Sequence, residues 1–140
     1  MPTAKEVKAL SELTARFDLP LGLRAPAAAR TLVRDMLMAW DLPDIGWLDD
    51  ADLLVSEIVS NAVCHGGGCI ELSVQSHEQG VTIKAADGSS VVPRRRAAGE
   101  NGGFGLQIIE AISEGWGVEE FQGGKRVWVR LRPCPSVAAF

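Results

Sequence analysis

The sequence predicts an α+β fold, a two-layer α/β sandwich with helices on one face of a mixed, mostly antiparallel sheet. Three observations carry this. Apolar residues recur at helical spacing in two long segments, 26–40 and 51–65. Four segments alternate as strands do, in two pairs: CIELSVQS with GVTIKAAD, and WGVEEF with RVWVRLR. The elements follow one another as β-α-α-β-β-loop-α-β-β, in blocks and not as βαβαβ, which favours hairpin strands covered by helices on one side.

Taken in order, residues 1–12 are polar and mixed and read as an N-terminal arm. LTARFDLPL alternates enough for an edge strand that Pro20 ends. Pro26 suits the first position of a helix running to Trp40, with Leu32, Val33, Met36, Leu37 and Trp40 as its buried stripe. DLPDIG reads as a turn. A second helix then begins near Ala51, capped by Asp49 or Asp50 and ended by Gly66. HEQG joins the first strand pair as a hairpin. Residues 87–103 have no periodicity, and a loop of that length in a compact domain is usually functional or disordered. FGLQIIEAISEG reads as a third helix, QGGK joins the last two strands, and 133–140 reads as a loose tail. One domain over 13–132 fits the length of 140 residues.

The net charge of −4 argues against a nucleic-acid binder that works through backbone phosphates. Three cysteines without CxxC spacing argue against a disulfide framework or structural zinc, and they read as reduced thiols of a cytoplasmic protein. No segment approaches the roughly 20 apolar residues of a membrane span, and the N-terminus has no apolar signal region.

Several positions resist a purely structural account. Glu57 and Asn61 stand one turn apart in the otherwise apolar second helix, and His65 continues their row. They are either the polar border of an amphipathic helix or a site. As a site, the Asn oxygen is a hard neutral ligand for Mg²⁺, and the Glu is a base. Asp87, before Gly88, is either a turn residue or an acceptor for the exocyclic amino group of adenine, which would select ATP over GTP. Gly102, Gly103 and Gly105 precede the third helix, around Phe104 and Leu106, where free N–H groups and the helix dipole can face phosphate. Lys125 either touches phosphate or is a solvated hairpin residue. Arg94, Arg95 and Arg96 form a charge run, usually a solvated face.

The order of these pieces is more specific than any one of them. ExxxN on a helix, Asp-Gly after a hairpin, a loose loop, GxGL opening a helix and two terminal strands together resemble the GHKL ATPases, which share the Bergerat fold. Within that group, SEIVSNAVCHGG, DGS, GFGLQIIEAISEGWGV and GKRVWVRL resemble the small RsbW/SpoIIAB-like anti-sigma-factor kinases and related bacterial ATP-binding regulators. The resemblance implies an ATP- and Mg²⁺-dependent protein serine/threonine kinase. Glu57 would be its general base, Asn61 its metal ligand and Asp87 its adenine contact. His65, Ser89, Gly102, Gly103, Phe104, Gly105, Leu106 and Lys125 would complete the nucleotide site, and the 88–102 loop would be its lid. The implied partners are an anti-sigma antagonist and a sigma factor, and a homodimer is common among such kinases.

The sequence also departs from the pattern. DGSSV stands where the family has DxGxG, Gln107 replaces a further glycine, and GKR opens the last strand without the usual Thr. These changes bear on nucleotide affinity more than on fold, and they support the alternative of a nucleotide-responsive binding module with little or no kinase activity. A sensor histidine kinase is not expected, because His65 and His77 are the only histidines.

Overall fold

The computed structural model describes residues 13–19, 22–42, 44–65, 69–77, 80–88 and 105–135. Five strands, β1 (Thr14–Phe17), β2 (Cys69–His77), β3 (Gly80–Asp87), β4 (Ser113–Phe121) and β5 (Gly124–Leu131), form one sheet in the order β1-β2-β3-β5-β4. Every pairing among them is antiparallel. Among the described residues three helices, α1 (Ala25–Ala39), α2 (Ile45–His65) and α3 (Gly105–Ile112), accompany the sheet, and a 3-10 turn, Gly22–Arg24, leads into α1.

Period-two alternation sorts the sheet into two faces. Leu72, Val74, Val81, Ile83, Ala85, Val127, Val129 and Leu131 are buried on one face. They share a core with Ala29, Val33 and Leu37 of α1, Leu54, Val55, Ile58, Val59 and Ala62 of α2, and Leu106 and Ile109 of α3. The opposite face carries polar pairs. Glu119 there accepts from Lys84 Nζ at 2.9 Å and from Arg126 Nε at 3.1 Å, tying β4 to β3 and β5. The Lys84 bond, aided by Arg126, pulls the Glu119 carboxyl below its ordinary value. His77, bonded to Thr82 Oγ1 at 2.7 Å on this face, is pushed down by burial and by Arg130.

Two boundaries differ from the sequence expectation. The second helix begins at Ile45, not near Ala51, because Asp44 Oδ1 accepts from Trp47 N at 2.8 Å and caps it. That early start buries Trp47 and Leu48. Asp49, expected as a cap, instead pairs with Arg34 of α1 at 2.9 Å, alongside Asp52 at 2.6 Å. The third helix stops at Ile112, and Ser113, Glu114 and Gly115 belong to β4. Ser113 pairs with Leu131 and a bulge follows before Gly115, so ladder bonds to β5 displace the last helical turn. Beyond the last strand, Trp47 Nε1 donates to the Arg132 carbonyl at 2.6 Å, and Cys134 packs against the core. Burial raises the Cys134 thiol pKa. Cys64 and Cys134 are both free thiols.

The β4–β5 hairpin turns through Gln122 and Gly123, both at positive φ (49° and 83°), which matches the twist of the strands it joins. Gly124, the next residue, is needed for a different reason. A Cβ there would overlap the Asp87 carbonyl oxygen and come within 2.7 Å of Gly88 Cα. Backbone is in the way, so no rotamer change relieves the clash. Gly124→Ala is expected to destabilise by the upper part of the about 1–3 kcal/mol range for overpacking. A urea-unfolding midpoint equal to that of the wild type would show that β5 does not need this close approach.

Candidate functional site

α2 carries its buried stripe along Leu48, Ala51, Leu54, Val55, Ile58, Val59 and Ala62. Glu57 and Asn61 flank this stripe and are half-buried. On the opposite border of the stripe, Asp52 and Ser56 meet α1 through Arg34 and Arg30. Helical geometry therefore turns Glu57 and Asn61 away from α1, stacked one turn apart. Partial burial strips water from Glu57 and raises its carboxyl pKa. A carboxylate made more basic in this way is a better proton acceptor near neutral pH. The Asn61 amide offers a neutral oxygen beside it.

A second pair closes the end of the sheet. Asp87 ends β3, and Lys125, its partner in the β3–β5 register, stands near the start of β5. Alternation places both on the helix-covered face, in line with Val81, Ile83 and Ala85 and with Val127 and Val129. Lys125 Nζ donates to both carboxylate oxygens at 2.9 Å. The side chains are 5% and 1% exposed, so Lys125 is not a solvated hairpin residue. Gly123 and Gly124 allow this burial: one makes the turn, and the other lets the β5 backbone reach Asp87–Gly88. In so dry a setting, removing one partner of such a pair costs about 3–5 kcal/mol. Sequence reasoning chose both residues but did not join them. The clue it held was the pair of glycines before Lys125.

The remaining expected residues divide in two. Leu106 is buried in the core, so its contact with a ligand would be through backbone at the start of α3. The backbones of His65 and Gly105 lie at the end of α2 and the start of α3. Ser89, Gly102, Gly103, Phe104 and most of the 88–102 lid fall outside the described residues, as does the 1–12 arm.

A helix pair and a third, short helix on one face of an antiparallel sheet, with ExxxN on the long helix and Asp-Gly ending the third strand, now meet a sequence comparison. The profile of the histidine kinase-like ATPase domain matches residues 20–132. The chain belongs to this family. It is a GHKL-type ATPase domain, and the match spans every helix and all of the sheet but β1. A search of curated proteins gives no match.

The oxygen donors of this GHKL domain suit a magnesium–nucleotide complex. Asn61 presents a hard ligand at a half-exposed border. Among the described residues no three His, Cys, Asp or Glu side chains cluster as a protein-only metal cage. An ion held at Asn61 would take its other ligands from phosphate and water, as Mg²⁺ usually does. None of the helices described is long and apolar enough to cross a membrane.

Proposed function

We propose that this GHKL domain is an ATP- and Mg²⁺-dependent protein serine/threonine kinase of the anti-sigma type, acting on a small regulatory protein. The observation that carries the reading is the Glu57–Asn61 pair: a half-buried carboxylate with a raised pKa, one turn from a neutral oxygen ligand. Bound ATP·Mg²⁺ supplies the phosphoryl group and leaves as ADP. Glu57 accepts the proton of the attacking Ser or Thr hydroxyl. Asn61 holds the metal that offsets charge on the phosphates, which is most of what such transfer requires. The start of α3 receives phosphate at its N–H groups. The substrate would be an anti-sigma antagonist, and when not engaged with it the chain would bind and silence a sigma factor. The reading places the chain in the cytoplasm and has it bind proteins, not nucleic acid or membrane.

Titration calorimetry tests the metal role. The wild type should bind ATP more tightly with Mg²⁺ than without. Asn61→Ala should lose that Mg²⁺ dependence while keeping its melting temperature. An unchanged Mg²⁺ effect in the variant would remove Asn61 as the ligand.

A second reading has its own support. The buried Lys125 on Asp87 stands where the family has Thr, next to altered glycine boxes. A nucleotide-responsive module that captures a regulatory protein without phosphorylating it would tolerate both changes. ATP binding without phosphoryl transfer to any co-purified antagonist would favour it.

A further inference from the structure

The carboxylate that the family pattern assigns to the base is already engaged. Both oxygens of Asp87 accept from one ammonium, at 2.9 Å each, with both side chains almost fully buried. A bare carboxylate discriminates purines in two ways. It accepts from an exocyclic amino group, and its charge repels a carbonyl oxygen in the same place. Lys125 weakens both. Its two bonds take up acceptor capacity that the amino group would use, and its positive charge cancels the field that would turn a carbonyl away. Moving Lys125 aside would break an ion pair between two almost fully buried charges, and a neutral amino group does not replace its charge. Gly124 holds the strand that carries Lys125 directly against the Asp87–Gly88 backbone, so the pair is fixed from the main chain outward.

We propose that Lys125 makes the base pocket tolerant, so that the site takes purine nucleoside triphosphates as a class, 6-amino and 6-oxo alike. The inference rests on the nucleotide-binding reading above. It makes Lys125 a specificity-determining residue, with the phosphates and metal supplying the affinity.

Calorimetric titration of the full chain with the Mg²⁺ complexes of ATP, inosine triphosphate and purine riboside triphosphate tests it. The first carries a 6-amino group, the second a 6-oxo group and the third neither. The wild type should bind all three within about threefold, well short of the tenfold that a good polar contact confers. Lys125→Thr, which removes the ammonium, should restore a preference for ATP of about tenfold or more over the other two. Lys125→Gln keeps N–H donors for Asp87 without the charge, and it serves if the Thr variant does not fold. Its preference should move the same way. A wild type that already prefers ATP by about tenfold overturns the inference and leaves the nucleotide reading standing. A folded Lys125 variant as tolerant as the wild type overturns it too. Absence of binding by all three at millimolar concentration overturns the nucleotide reading itself, and the inference with it.

Discussion

Glu57→Gln is expected to slow phosphoryl transfer by about 10²–10⁴-fold, the usual contribution of a positioned general base. ATP affinity should hardly move, because the amide keeps the shape of the side chain. The wild-type rate should fall on the acid side along a limb set above the ordinary carboxylate value, since burial raises the Glu57 pKa. That limb should be missing from the variant. Stability should respond in the opposite sense. The folded chain holds the Glu57 proton more tightly than the unfolded chain does. Between the ordinary carboxylate value and the raised folded value, the unfolded chain deprotonates first, so stability falls as pH rises through that window. Gln carries no such penalty, and the variant should melt at or above the wild-type temperature at neutral pH. Lost transfer with retained stability separates catalysis from folding. Full activity with the acid limb intact would remove Glu57 as the base.

Asp87→Ala should be the most damaging change outside the hydrophobic core. It removes the carboxylate to which the Lys125 ammonium, 5% exposed, donates twice. The expected loss is about 3–5 kcal/mol, read from the urea-unfolding midpoint. The double variant Asp87→Leu/Lys125→Met should recover most of it, since apolar replacements of a buried ion pair are often neutral or stabilising. The contrast between single and double variants is the informative quantity. A single variant within about 0.5 kcal/mol of wild type would mean that water reaches the pair, as for an ordinary surface substitution.

Much of the architecture was legible because the sequence is locally consistent. The strands of the two hairpins alternate cleanly, and the structure pairs them as expected. Glu57 and Asn61 were legible for the reverse reason: they are polar where the pattern of α2 is apolar. What escaped were features decided by contacts distant in sequence. Asp44 won the cap over Asp49 and Asp50 because starting five or six residues earlier buries Trp47 and Leu48. Ser113 joined the sheet because Leu131, near the end of the chain, was there to pair with it. Lys125 looks like a hairpin residue in sequence, and only the register opposite Asp87 makes it a buried counter-ion. Periodicity carries no information on which strand lies beside which, so it is silent about that pair.

The strand order β1-β2-β3-β5-β4 puts the last-made strand in the interior of the sheet, between two made before it. During synthesis, therefore, β3 is made before the strand that pairs with its second flank. The counter-ion of Asp87 lies 38 residues further along. At about 5–20 residues per second, that is a wait of about 2–8 s. Throughout it the β2–β3 hairpin lacks the Lys125 ammonium from which Asp87 accepts in the folded chain. The Asp87–Lys125 pair, and with it this end of the sheet, is complete only once β5 has been made.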